Sequence, residues 1–206
     1  MKLSYILEML ASAELSNLHL VDADLLNIKP EKMPIVLRSI NSGLNDLHTR
    51  FLIAKNIVEI PVIAGENTYE IIADDFIELL NVYIDDIPMV SNSHFTLLNV
   101  NRFRLKEKLG ILSTLRVEYK AKHRVLTEVD LAMDANVNLP DSHLNALLYF
   151  VASKLYTSAV NRLDGDLNEG AAYMRKFIDE VRLLENQGID VEELEPMNNF
   201  NSRGFV

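Results

Sequence analysis

The chain has 206 residues, of which 49% are hydrophobic and 24% are charged, and this is enough apolar material for a buried core in one or two domains. Its formal net charge of −10 argues against a protein that binds nucleic acid tightly, because tight binding needs a basic surface. The charge is compatible with a surface along which DNA passes without being bound. The absence of cysteine excludes disulfides, thiol nucleophiles and cysteine-ligated zinc, and no apolar run is typical of a signal peptide or a membrane span.

Two stretches before residue 55 have the apolar spacing of a helix. The first is a short stripe made by Leu3, Ile6, Leu7 and Leu10. The second is predicted to begin near Pro30, where the missing N–H of proline costs little, and to run to about Ala54. Its apolar residues follow one face: Met33, Val36, Leu37, Ile40, Leu44, Leu47 and Phe51. We therefore assign residues 1–54 to the N-terminal helices of a bundle.

Between residues 55 and 125 the apolar period changes to alternation, which predicts strands. Residues 58–62 alternate, a turn follows at 64–67, and residues 68–71 resume the alternation, as in a β-hairpin. Residues 76–84 predict a strand that ends in the turn Asp85-Asp86, and residues 114–121 predict a half-buried strand. Residues 94–98 are compatible with a strand, and residues 102–109 with a strand or a short helix. We expect a small, mostly antiparallel β-domain inserted into the bundle.

From Leu139 to Gln187 the helical spacing returns in two runs, separated by a turn around residues 163–166. Asp141 is predicted to cap the first helix. Gly188 is predicted to end the second, because glycine readily takes the left-handed conformation of a helix end. The two runs predict an antiparallel helix hairpin about 30 Å tall. Residues 139–188 would thus complete a four-helix bundle, and the predicted fold class is α+β.

Residues 189–206 form a polar tail without helical or strand period. It carries apolar side chains that it cannot bury by itself, namely Ile189 at its start and Phe200, Phe205 and Val206 further along. One interpretation is a frayed chain end. The other is an extended arm that becomes ordered on a partner, with these side chains as anchors.

Two acidic clusters are candidate metal sites. Residues 164–168 match the first three ligand positions of a calcium loop, but Glu169 stands where glycine belongs and Arg175 where glutamate belongs, so a helix–helix turn is favoured. The second cluster consists of Asp74, Asp75, Glu78, Asp85 and Asp86. No histidine has ligand spacing to it, and paired aspartates at strand ends are typical of turns. We predict no metal and no cofactor.

The sequence has no motif for nucleophilic catalysis or phosphate binding, and its five histidines (His19, His48, His94, His123 and His143) lack ligand spacing. We therefore predict that the protein is not an enzyme. The enzymatic alternative is a small cell-wall hydrolase with Asp75 and Glu78 as general acid and base. The basic cluster is interpreted as a solvated face or as a contact to an acidic neighbouring subunit; it consists of Arg116, Lys120, Lys122, His123 and Arg124.

Two stretches carry a family resemblance. Residues 62–71 and 75–86 combine a glycine turn, a strand with a tyrosine, and an aspartate–phenylalanine pair that leads into a strand ending in a turn. The second stretch is the strand around residues 117–119, followed by Leu139-Pro140-Asp141 and the helix pair. Together they resemble the head-to-tail adaptor (connector) proteins of tailed bacteriophages, especially those with short tails. Ile72-Ala73 departs from the leucine–proline pair expected there.

The resemblance implies a structural virion protein in the neck between capsid and tail, assembled in the host cytoplasm. Adaptors of this kind form a ring of identical subunits, commonly twelve, under the portal ring. The ring extends the channel through which the genome DNA passes without specific binding, and it docks the tail nozzle or tube. The arm at residues 189–206 would embrace the portal protein. A different ring of the same machine, such as a tail terminator, is the alternative.

Overall fold

The structure, a computed structural model, describes residues 1–18, 20–22, 27–107, 114–159 and 167–188. It belongs to the α+β class, as the sequence predicted, with helices on both sides of a β region along the chain. The helices are α1 (Leu3–Met9), α2 (Met33–Arg50), α3 (Glu128–Ala132), α4 (Leu144–Ala159) and α5 (Leu167–Gln187). Helix α1 continues as a π-helical segment at Leu10–Glu14, and single 3-10 turns at Pro30–Lys32 and Asp141–His143 precede α2 and α4.

The strands form three antiparallel sheets in the described part of the chain. They are β1 (Val21–Asp22), β2 (Asn27–Ile28), β3 (Lys55–Pro61), β4 (Thr68–Glu70), β5 (Phe76–Ile84), β6 (Ile87–Met89), β7 (Phe95–Asn99), β8 (Arg102–Leu105) and β9 (Thr114–Ala121). Strands β1 and β2 pair with each other. A four-stranded sheet has the order β3-β9-β5-β6, and a three-stranded sheet has the order β4-β8-β7.

Helix α4 lies in the middle of the helical part. Helices α2 and α5 pack against it, and so do α1 and the π-helical segment. Its buried residues are Leu144, Ala146, Leu147, Leu148, Phe150, Val151, Ala152, Ser153, Leu155 and Tyr156. Because a helix that is apolar nearly all round needs neighbours on several sides, α4 becomes the centre of the helical layer.

The predicted four-helix bundle frame is therefore wrong. The N-terminal helix has seven α-helical residues and five π-helical ones, whereas α2, α4 and α5 have 18, 16 and 21 residues. It is too short to line one side of a bundle along its whole length. In the described ranges the helices form a layer centred on α4, without a four-helix bundle, because equal helical periodicity in a sequence does not make helices equal in length or position.

The helix hairpin of α4 and α5 runs antiparallel. Gly170 in the first turn of α5 lies beside Thr157 near the end of α4, and further along α5 the Phe177 ring meets the Phe150 ring at 5.2 Å between centroids. A Cβ added to Gly170 would lie 2.7 Å from the Thr157 Oγ1, so the two helices approach each other closely there. At about 1.5 Å per residue, α5 is about 32 Å long, close to the predicted height.

Of the two predicted ends of the helix hairpin, the glycine end is confirmed and the aspartate cap is wrong. Gly188 follows α5 with φ of +61°, the left-handed conformation that was predicted from its identity. Asp141 does not cap α4 with its side chain; it begins a 3-10 turn, and Pro140 occupies the position before that turn. A proline in extended conformation already stops the chain from entering the helix earlier, so a side-chain cap is not required for the boundary.

Both larger sheets share one apolar core. The buried residues of this core come from both sheets and the chain between them: Val62, Tyr69, Ile71, Val82, Phe95, Phe103, Leu105, Leu115 and Val117. Strand β9 lies between β3 and β5 and buries Leu115, Val117, Tyr119 and Ala121 in the predicted alternation, while Lys120 near its end is buried as well. The two sheets are thus held together by facing apolar sides rather than by shared hydrogen bonds.

The predicted hairpin of residues 58–71 is wrong. Strand β3 pairs with β9, and β4 pairs with β8, so the turn at residues 64–67 carries the chain from one sheet to the other. Glycine and alternation predict a turn between strands, but they do not say which strands pair. The turn at Asp85-Asp86 does close a hairpin, between β5 and β6, and both aspartates have positive φ, which the mirror-image turns of two-residue hairpins require.

A second apolar core fills the helical part, built from residues 3–53 and 126–184. Burying a leucine or isoleucine side chain of this kind contributes about 1.5–3 kcal/mol. The chain passes between the two cores near residues 53–62 and 117–126. The predicted segments 1–54, 55–125 and 139–188 stay predictions of domain boundaries, and the predicted arm at 189–206 lies outside the described residues.

Candidate partner-binding surface

The predicted anchor residues of the arm lie outside the described residues, and so does most of the calcium-loop match. This holds for Ile189, Phe200, Phe205 and Val206, and for residues 164–166. The role of the arm residues in portal binding stays a prediction.

The carboxylate of Asp75 supports the sheet rather than facing an open cleft. Its Oδ1 accepts a hydrogen bond from the Tyr119 hydroxyl at 2.8 Å, and its Oδ2 accepts one from the Asn56 amide at 2.5 Å. Burial, and then the bond to Asp75, raises the pKa of Tyr119 to about 12. Glu78 is exposed and is paired with Lys120 of β9. Because successive side chains of a strand point to opposite faces, Lys120 and Tyr119 lie on different faces of the sheet. Asp75 and Glu78 are thus directed to opposite faces of the sheet.

Asp85 and Asp86 are turn residues, as predicted, and both have local partners. Asp86 Oδ1 accepts a hydrogen bond from Arg116 at 2.8 Å, and Asp85 Oδ1 accepts one from the Thr114 backbone N–H at 3.3 Å. Together they fix the β5–β6 turn to the start of β9. Within the described ranges, no group of three or more histidine, aspartate and glutamate side chains is arranged to hold a metal ion.

The predicted basic cluster does not form one solvated face. Lys120 is 7% exposed, and its Nζ donates to the backbone carbonyl of Thr49 at the end of α2, at 2.8 Å. The Arg116 guanidinium lies 4.6 Å from the Tyr83 ring centroid, and Arg124 forms an ion pair of 2.6 Å with Asp130. The interpretation as a solvated face is thus wrong for Lys120, because strand β9 is central and its polar face meets the end of α2.

An exposed apolar surface follows strand β7, which is an edge strand of the three-stranded sheet. We use the name β7 surface for the exposed apolar side chains of β7 and of the segments near its two ends, namely Ile72, Ile87, Val90, Leu97, Leu98 and Val100. Ile72 is 85% exposed and lies near the β7–β8 turn, because the neighbouring Ile71 N–H donates to Asn101 O at 2.8 Å. At the other end, Ile87 borders a shallow depression of about 250 Å³ that His94 also lines.

Sequence reasoning missed this surface. Several large aliphatic side chains exposed in one region are typical of a binding surface. Apart from the bridge between Ser91 and Phe95, no described strand pairs with the outer edge of β7, and such an edge offers backbone groups to a partner. The one available signal was Leu97-Leu98 in a strand with polar neighbours, followed by Val100, since a strand with polar neighbours cannot bury both of its faces. The arrangement can bind another protein by apolar contact and strand addition.

The described histidines are all in contact with other residues of the chain. His94 accepts a hydrogen bond from the Val90 N–H at 2.9 Å, and buried His143 packs edge-on against Phe51 at 4.7 Å. The rings of His48 and His123 meet at 5.5 Å between centroids, nearly perpendicular to each other. This pair, from positions far apart in the chain, had no signal in the sequence.

No family model and no curated protein matches the sequence. The resemblance to phage adaptors thus stays a prediction from the two stretches that carry it. No helix in the described part of the chain combines the length and the apolar character needed to cross a bilayer.

Proposed function

We propose that the protein is a structural virion protein, the head-to-tail adaptor of a tailed bacteriophage. It would form a ring under the portal, extend the DNA channel, and dock the tail nozzle or tube. The resemblance of residues 62–71, 75–86 and 139–141 to adaptor proteins supports this assignment. The proposed place is the neck of the virion, after assembly in the host cytoplasm.

The observation that carries the proposal is the exposed β7 surface. Its aliphatic side chains lose contact with water when another protein covers them, at about 25 cal/mol per Å² of apolar area. A protein that works as one subunit of a ring and between two other rings needs such surfaces. The resemblance then selects the partner class, and we assign the β7 surface to a neighbouring subunit or to the tail.

The charge of the chain fits this role. Twelve subunits with a net charge of −10 each would give a ring of strongly negative potential, which repels the phosphate backbone of DNA and does not retain it. The subunit contacts of such a ring are heterologous, since two different faces of each subunit meet and the rotation closes the ring. The twelve-fold number comes from the resemblance.

The first experiment is native mass measurement of the full chain, alone and mixed with the portal protein encoded by the same genome. We expect a ring of fixed stoichiometry on the portal. A chain that stays monomeric and ignores the portal at every ratio would overturn the proposal. Binding to the tail-tube protein without binding to the portal would point instead to another tail ring, such as a terminator.

Variants then test the β7 surface. Leu98→Glu places a charge in the surface at a position that is 45% exposed, so the fold is kept and assembly or tail docking is lost. The matched control is Ile57→Glu, which places the same charge on the edge strand β3 of the other sheet at a position that is 55% exposed. Equal effects of both variants would show that the β7 surface has no special role.

A truncation tests the arm. Removal of residues 189–206 leaves both described cores unchanged in composition, so we expect normal folding and a loss of portal binding. Circular dichroism checks the folding, and native mass checks the binding. Portal binding that survives the truncation would remove Phe200, Phe205 and Val206 from the proposed mechanism.

A further inference from the structure

The position of one proton on His123 is fixed by its neighbours. The backbone N–H of Asn138 donates to His123 Nε2 at 3.1 Å, so Nε2 is an acceptor and holds no proton. The proton of the neutral ring is then on Nδ1, which faces the carbonyl oxygen of Arg124 at 2.5 Å. A second proton on His123 would place N–H against N–H and break the bond to Asn138.

His48 has the opposite surroundings. Its Nδ1 faces the Ala121 carbonyl oxygen at 3.1 Å, and its Nε2 faces the Asn138 carbonyl oxygen at 3.0 Å. A neutral imidazole donates one hydrogen bond, so one of these carbonyls faces a lone pair, whereas an imidazolium donates to both. His48 can therefore accept a proton without losing a hydrogen bond.

These contacts bring three separate parts of the chain to one point, which we call the His48–His123 junction. His48 belongs to the last turn of α2, Ala121 ends β9, and Asn138 lies between α3 and α4. Both backbone hydrogen-bonding groups of Asn138 are used, its N–H by His123 and its carbonyl by His48. The junction thus lies where the helical part and the four-stranded sheet meet.

Burial, with the positive charges nearby, opposes the binding of further protons at the junction. Burial is the main cause that lowers the pKa of His48, and Lys120 on β9 adds to it, against the effect of the two carbonyls. Burial also lowers the pKa of His123, with help from His48 and the Arg124 guanidinium, while the Arg124 carbonyl and Asp130 on α3 oppose this. Both rings are therefore neutral at pH 7.

We propose that the His48–His123 junction is an acid-sensitive joint between the helical part and the sheet. The joint is closed while both rings are neutral. As the pH falls, His48 takes the first proton without breaking a bond, and the second proton enters His123 and releases Asn138. Because the folded pKa values are below the unfolded value of 6.5, this contribution to stability is complete above pH 6.5 and is lost as the pH falls through the folded values.

The test uses the full chain and two NMR measurements between about pH 8 and about pH 5, the range in which histidines titrate. Imidazole nitrogen shifts give the tautomer of each ring, and amide exchange, corrected for its intrinsic rate, gives the protection of Asn138. We expect the Nδ1–H tautomer for His123 at the upper limit. We also expect a loss of Asn138 protection of about fivefold as His123 takes its proton, which corresponds to one hydrogen bond.

A variant distinguishes protonation of His123 from a general effect of acid on the protein. In His123→Gln the side-chain carbonyl accepts from the Asn138 N–H and does not titrate, so the protection of Asn138 becomes independent of pH in this range. His94→Gln is the matched control, because His94 also accepts from a backbone N–H, that of Val90, away from the junction; it leaves the response of Asn138 unchanged.

Three results would overturn the proposal. One is an Nε2–H tautomer of His123 at the upper pH limit, and another is constant Asn138 protection while His123 titrates. The third is an unchanged pH response in folded His123→Gln. If that variant does not fold, the titration of the natural chain decides by itself.

Discussion

Gly43 lies in the middle of α2, where the helix contacts α4. Replacing it by alanine tests whether close packing or helix propensity has the larger effect on stability at this position. A Cβ at this position would lie 2.7 Å from Leu147 Cδ1 and 3.0 Å from Phe150 Cδ1. Leu147 is 0% exposed and Phe150 is buried, so a shift of either side chain would push against other residues of a closely packed interior. We therefore expect Gly43→Ala to destabilise the protein, although alanine is the better helix former.

The magnitude follows from two opposing contributions. Replacement of glycine by alanine inside a helix stabilises it by about 1 kcal/mol. Insertion of an extra methyl group into a packed core costs about 1–3 kcal/mol. The expected net result is a loss of about 1 kcal/mol in the free energy of unfolding, or a Tm lower by about 2–4 °C for a chain of this size.

Urea unfolding followed by circular dichroism measures this difference. Ser42→Ala is the matched control, because Ser42 is exposed on the same helix and its replacement gains a few tenths of a kcal/mol from propensity alone. The double variant Gly43→Ala with Leu147→Val should recover part of the loss, since it removes the carbon in closest contact. An increase in stability of about 1 kcal/mol in Gly43→Ala would refute the close contact of α2 with α4.

Three further predictions concern the rest of the fold. Tyr119→Phe removes the hydroxyl that donates to Asp75 at 2.8 Å, so urea unfolding should show a loss of about 1 kcal/mol; an unchanged midpoint would mean that the bond contributes nothing. Arg124, and then Thr127, lowers the pKa of Asp130 from 3.8 to about 2, so its stabilisation is complete above pH 3.8 and is lost as the pH falls through about 2. The urea midpoint of the natural chain should therefore fall more steeply in this range than that of Asp130→Asn, and parallel curves would contradict it. Phe103→Ala empties a fully buried site between the sheets and should cost about 3–5 kcal/mol, whereas the exposed Ile72→Ala should stay within about 0.5 kcal/mol.

Periodicity predicted the elements well where a side-chain pattern was repeated several times. Strands β5 and β9 begin and end at the predicted residues, Phe76–Ile84 and Thr114–Ala121. The first was predicted from a run of apolar and β-favouring residues that ends in a turn, and the second from alternation over eight residues, which leaves little choice of period. The helices α2, α4 and α5 were predicted for the same reason, with an end of α2 four residues too late. Local patterns thus determine local structure here.

Arrangement in space was predicted less well, because it depends on contacts that local patterns do not encode. The alternation of β3 and β4 gave no means of choosing β9 and β8 as their partners. Four helical stretches suggested a bundle, yet the short α1 and the central α4 exclude that frame in the described residues. Lys120 was read as a solvated side chain because strand alternation does not reveal that the end of α2 covers it.

The β7 surface and the histidine pair were not predicted for the same reason, since they depend on the folded arrangement of the chain. The β7 surface arises because residues 96–99 of the edge strand β7 are all exposed, Leu97 and Leu98 among them. The histidine pair unites residues 48 and 123, which only the finished fold brings together. The arm, by contrast, was predicted from composition alone and depends on residues outside the described ranges.

The central position of β9 has a consequence for synthesis of the protein. Strand β3 is complete at Pro61, but its partner ends sixty residues later, at Ala121. At about 5–20 residues per second, a ribosome needs roughly 3–12 seconds to make that stretch. During this time β3 and β5 have no strand between them, and the apolar sides that later face each other are open to solvent. During synthesis the nascent chain therefore exposes apolar strand surfaces that chaperones can bind and that the folded protein buries.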